Sequence, residues 1–139
     1  MQRPPHAAKS LLIGLALLAS CGGGGSDPPS AVFVFRLHGF PESQEFRART
    51  SSAEVIALAR QQLRLPVAQR GLFPNGPIAA GAGGYNLAWG WHYTDFALTE
   101  VAIELCDGSP ALVDQDLGYW LNTVRRFCPW AAYVHAELP

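Results

Sequence analysis

Between Ala31 and Gly39 the chain reads AVFVFRLHG, and alternation sorts Phe33, Phe35 and Leu37 from Val34, Arg36 and His38. A period of two marks a half-buried strand, so a first strand is expected there. SQEFRARTS continues as a short second strand or as a loop. Ser51-Ser52-Ala53-Glu54 fits a capping box, in which Ser51 accepts from the Glu54 amide and Glu54 reaches back. In EVIALARQQL, Val55, Ile56, Leu58, Ala59 and Leu63 recur at helical spacing, which predicts an amphipathic helix stopped by Pro66.

Downstream, VAQRGLF reads as a strand. PNGPIAAGAGG, with its two prolines and five glycines or asparagines, reads as an exposed loop. YNLAWGWHYTDF reads as an aromatic strand with Leu87, Trp89, Trp91 and Tyr93 on one face and Asn86, Ala88, Gly90 and His92 on the other. FALTEVAIELCDG follows, with Val101, Ile103 and Leu105 opposite Glu100, Ala102, Glu104 and Cys106 as on a strand. Asp107-Gly108-Ser109-Pro110 predicts a turn into a helix, with Ser109 as N-cap and Pro110 at the first helical position. That helix is expected to bury Leu112, Val113, Leu117 and Trp120 or Leu121; RRFCPW stops it, and AAYVHAEL closes the chain as a strand. This order predicts an α+β fold, a mostly antiparallel sheet with two helices on one face, with a ferredoxin-like split βαβ topology as the first expectation.

The first thirty residues follow none of these periods. Arg3 and Lys9 precede an apolar run of nine residues, 11–19, too short to cross a bilayer as a helix. A basic start, a short apolar run and small residues form a secretory signal. Its end, Leu18-Ala19-Ser20-Cys21, resembles a bacterial lipobox, which implies cleavage before Cys21 and lipidation of its sulfur. Acyl chains of that kind anchor stably, at about 0.8 kcal/mol per buried methylene. Gly22 after the cysteine resembles the default signal for onward transport to an outer membrane. GGGGSDPPS then forms a floppy tether stiffened by its prolines. The expected organisation is signal peptide 1–20, lipidated Cys21 and tether 21–30, and one domain 31–139.

Composition narrows the chemistry. With Arg3 and Lys9 removed, ten basic residues fall to eight against eleven acids. No lysine remains, which excludes a lysine Schiff base and a P-loop lysine. Apart from Arg125-Arg126 there is no basic run, so nucleic acid is not an expected partner. Cys106 and Cys128 are the thiols left in the domain. In an oxidising compartment an even pair is most simply a disulfide, with a metal pair or two free buried thiols as alternatives.

The densest polar and aromatic constellation is Tyr85, Asn86, Trp89, His92 and Asp95, followed by Glu104 and Asp107. YNLAWGWHY, VAIELCDG and CPW together resemble the BP-seventy-four N-terminal-domain family of small secreted or surface domains. The matching positions are Tyr85-Asn86, Trp89 and His92, then Glu104, Cys106 and Asp107, then Cys128, Pro129 and Trp130. The opening FVF and the helical LARQQL agree too, whereas the glycine-rich AAGAGG departs from the family's tighter connection. The resemblance implies the fold and the cysteine pairing and carries no activity.

Two functions compete on these residues. The first is a membrane-tethered extracytoplasmic binding module without catalysis, meeting a protein or glycan ligand through Tyr85, Asn86, Trp89, His92 and Glu104. Its membrane partner is reached through the anchor at Cys21, and no cofactor is expected. The alternative is a small hydrolase or a metal site centred on His92 and Glu104, since imidazoles and carboxylates can hold zinc or act as a general base. No HExxH, His-x-His, CxxC or G-x-S-x-G motif supports it.

Overall fold

Alternation at the start of the domain produces its central strand. A computed structural model describes residues 29–139; the expected signal, Cys21 and the tether through residue 28 lie outside the described residues. Strand β1 (Ala31–Leu37) turns Phe33, Phe35 and Leu37 inward, as their spacing predicts. β2 (Phe46–Thr50) pairs antiparallel with β1, setting Phe35 opposite Phe46. Helix α1 (Ala53–Leu63) buries Val55, Ile56 and Ala59. Its cap is Ser52, one residue later than expected, and the Ser52 hydroxyl accepts from the Val55 amide at 3.3 Å.

The middle of the chain departs from expectation. VAQRGLF is not a strand: Val67–Gln69 form a 3-10 turn. Arg70 holds that turn back, its guanidinium donating to the carbonyls of Leu63 at the end of α1, of Leu65 just beyond it and of Val134 near the end of the chain. PNGPIAA is not a loop. It is most of β3 (Phe73–Ala80), which pairs in pieces along its length. Its first third meets β5 (Ala97–Thr99), Gly76 and Pro77 meet β6 (Arg126–Phe127), and its end meets β4 (Trp91–Tyr93). Proline is tolerated where no ladder donor is needed: Pro77 serves as an acceptor, its carbonyl taking the Thr94 amide at 3.1 Å.

The aromatic stretch is a strand only over Trp91–Tyr93. Trp91 and Tyr93 are fully buried while Leu87 is 72% exposed, so the four aromatic and aliphatic positions do not share a face. The expected strand through Val101, Ile103 and Leu105 also ends early, at Thr99, and leaves all three exposed. Ser109 caps α2 (Pro110–Gln115) with Pro110 at its start, as predicted, and Val113 is buried but Leu112 is half exposed. After Asp116 the chain winds on through Leu117–Tyr119 and a π-turn, Trp120–Val124, which Arg125 closes in the left-handed region. β7 (Ala132–Glu137) returns beside β1.

The class is the expected α+β. Where a ferredoxin-like arrangement has one continuous sheet, the strands here form two antiparallel sheets: β2-β1-β7, and β4 and β5 along β3 with β6 also pairing β3. Phe33, Phe35 and Phe46 of the first sheet share one core with Trp91, Tyr93 and Phe127 of the second. Phe35 stacks on Phe46 at 5.2 Å, and Trp91 meets Phe127 edge-on at 5.0 Å. Each such pair contributes about 0.5–1.5 kcal/mol beyond its area burial. Cys106 and Cys128 form the disulfide, joining the 3-10 turn before α2 to the segment after β6.

Candidate functional site

Ala82 to Gly90 folds as successive turns because Gly81, Gly83 and Gly84 take positive φ angles that side chains rarely adopt. Gly83 lies flat on the imidazole of His92, where an added Cβ would sit 2.6 Å from the ring. The same loop is pinned from below by Asn86. Its side-chain oxygen accepts from the Arg47 amide at 2.9 Å, and its amide nitrogen donates to the Trp91 carbonyl at 2.8 Å. At 1% exposure, Asn86 is a clamp between β2 and β4 and turns no polar group toward solvent. Trp89 adds a second tie, its indole N–H donating to the Glu45 carbonyl at 2.9 Å. A third comes from Asp114 of α2, which accepts from the Gly90 amide at 2.8 Å.

What the loop encloses is an open cleft of about 550 Å³ against the β2–α1 turn. Arg49, Ser51 and Ser52 form one wall; Tyr85, His92, Thr94 and Asp95 form the other. Arg49 places its guanidinium over the Tyr85 ring, 5.0 Å from the centroid, a cation–π contact. The Tyr85 hydroxyl donates to the Tyr93 carbonyl. Burial pushes the Tyr85 phenol above its ordinary value, with Arg49 pulling it partly back. His92 Nδ1 bonds the Gly81 carbonyl at 2.7 Å, and Nε2 has no hydrogen-bond partner among the described residues. No serine, threonine or carboxylate of the cleft shares a hydrogen bond with His92 among the described residues.

Of the five residues singled out in the sequence, the fold brings only Tyr85 and His92 into this cleft. Asn86 and Trp89 hold the loop that shapes it. Glu104 sits exposed on the turn before Cys106, outside the cleft lining and without an ion pair to His92. His38 and His135 flank Tyr133 on the other sheet, with His38 stacked on Tyr133 at 4.3 Å. Among the described residues no group of three or more His, Cys, Asp or Glu side chains is placed to hold a metal ion. Among the cleft residues that sequence reading did not single out for the site, alongside Ser51, Ser52 and Thr94, is Arg49. Its signal was the alternation of Phe46, Ala48 and Thr50 against Arg47 and Arg49, which becomes informative once β2 is known to be a strand.

The family model of the BP-seventy-four N-terminal domain matches residues 29–139, the whole described span. The chain belongs to that family. No curated protein and no solved structure matches it.

Proposed function

We propose that this BP-seventy-four N-terminal domain is a non-catalytic binding module of the bacterial cell envelope, lipid-anchored through Cys21 to the outer membrane, and that the Arg49–Tyr85–His92 cleft is its ligand site. The observation that supports this reading is the cleft's mixture of groups. Arg49 donates, Asp95 accepts, and the Ser51 and Thr94 hydroxyls do both. Such a lining suits a glycan, whose hydroxyls both donate and accept around the ring. A purely anionic ligand would meet Asp95 at close quarters. A protein loop rich in hydroxyl and amide groups is the other ligand of this chemistry. Catalysis by a nucleophile and base calls for a hydrogen bond between the two, and among the described residues no cleft hydroxyl is bonded to His92.

The test pairs binding with stability. Purified envelope polysaccharides are titrated calorimetrically into the wild-type protein, Arg49→Ala and His92→Ala, and each protein's melting temperature is recorded. Both side chains lie at the cleft wall, so affinity should fall by about tenfold or more, equivalent to about 1.4 kcal/mol, at nearly unchanged melting temperature. Equal binding by stable variants removes the cleft as the site.

A further inference from the structure

Beyond the cleft the surface stays hollow. A second cavity of about 440 Å³ lies against the start of α1, lined by Glu54, Asn75, Pro77, Ala97 and Arg126 among others. Ser52 and Asp95 line both cavities, so the two adjoin across that pair. Strand register shows how they are laid out. Residues directly opposite in an antiparallel ladder point to one face, and so does every second residue along a strand. Ala79 lies opposite His92, Pro77 opposite Arg126 and Asn75 opposite Ala97. His92, Arg126 and Asn75 therefore stand on one face of the second sheet. It is the face away from the core, because Gly76 and Ile78 between those β3 positions are buried. From Ala79 to Asn75 the strand rises about 13 Å, longer than a single sugar ring.

The far end of this face offers donors beside acceptors, as the cleft does. Arg126 Nε donates to Asn75 Oδ1 at 2.9 Å, which fixes the two side chains against each other. The terminal guanidinium nitrogens of Arg126 and the Asn75 amide nitrogen have no partner among the described residues. Glu54 lies exposed in the same hollow and forms no ion pair with Arg126. Asp95, at the junction, accepts the Phe96 amide on Oδ1 at 2.9 Å, and its Oδ2 has no partner among the described residues.

Resting on the reading of the cleft as a glycan site, we propose that its ligand is a linear oligosaccharide laid along β3 across both hollows. One sugar residue sits against Arg49 and His92, and its neighbour in the chain lies over Asn75 and Arg126. The unpaired donors of Arg126 and Asn75 meet the neighbour's hydroxyl and ring oxygens, while Glu54 and Asp95 accept from its hydroxyls. Asn75 and Arg126 thus determine specificity for a chain over a single sugar, which would leave the second hollow unused.

The test is chain length. An envelope polysaccharide that binds the wild-type protein is cut by partial acid hydrolysis, and its monosaccharide and tetrasaccharide fractions are titrated under NMR observation. The tetrasaccharide should bind about tenfold or more tighter than the monosaccharide. It alone should shift the Arg126 Nε–H and Asn75 side-chain amide signals. Arg126→Gln and Asn75→Ala should each lower tetrasaccharide affinity toward that of the monosaccharide and leave monosaccharide binding unchanged. Their melting temperatures should hold, since the two side chains bond each other alone among the described residues. Arg49→Ala should weaken both fractions. The proposal is overturned if affinity does not rise with chain length, or if both variants at Asn75 and Arg126 bind the tetrasaccharide as the wild type does. The cleft reading survives either result, whereas failure of every polysaccharide to bind overturns both.

Discussion

Asn86 works inside the fold, out of reach of solvent. It bridges β2 and β4 through both ends of its amide, so its loss strands the Arg47 N–H and the Trp91 carbonyl in a buried place. Each group left unpaired costs about 1–3 kcal/mol. Asn86→Ala should therefore lower stability in chemical denaturation by at least that amount; an unchanged midpoint would refute the clamp. His135 makes a prediction of opposite kind. Desolvation chiefly, then the Arg36 and Arg70 guanidinium groups, hold its imidazole below its ordinary value, with Glu42 and Glu45 opposing them. A depressed histidine contributes stability above the unfolded value of about 6.5, and this is lost as pH falls through the folded value. Unfolding free energy should decline on acidification from neutrality toward pH about 5, and His135→Gln should flatten that decline. Parallel curves for the two proteins would show that His135 is not responsible.

At the scale of elements, β3 is the instructive case. Its two prolines and its glycine look like loop residues because the usual argument counts local preferences, and nothing local reveals that three other strands will meet it. Gly76 is there because β3 and the Asp95 backbone approach too closely for any side chain: an added Cβ would stand 2.0 Å from the Asp95 carbonyl oxygen. Gly76→Ala must force the two segments apart, with an expected cost of about 3 kcal/mol or more, readable as a lower melting temperature. A neutral substitution would mean that the bend at Thr94–Phe96 yields easily. The elements legible in advance were those with a complete local code: β1 by its alternation, α1 by its apolar stripe and α2 by Ser109-Pro110. Even there the cap of α1 shifted from Ser51 to Ser52, whose hydroxyl takes the Val55 amide.

For the whole molecule, two sheets share one aromatic core, and the disulfide ties the exposed segment after β5 to the return toward β7. Cys106 and Cys128 are 22 residues apart, a loop for which chain entropy gives about 3 kcal/mol. Reduction should lower the melting temperature and speed exchange at residues 99–105 ahead of the core; uniform loss everywhere would show that the bridge serves the whole fold equally. The amino-acid order alone determined the α+β class, β1, the existence of α1, the start of α2 and the closing strand, because each follows from spacing within a few residues, and it offered the disulfide as the simplest of three fates for its two cysteines. Only the tertiary structure decided the rest. It turned a proline-bearing stretch into the central strand of the second sheet and made Asn86 a clamp rather than a contact. It also brought Arg49 over Tyr85 to build a cleft with His92, and left Val101, Ile103 and Leu105 in solvent. Those outcomes depend on which strands reach each other across the core, and pairing between residues far apart in sequence leaves no periodic trace in either partner alone.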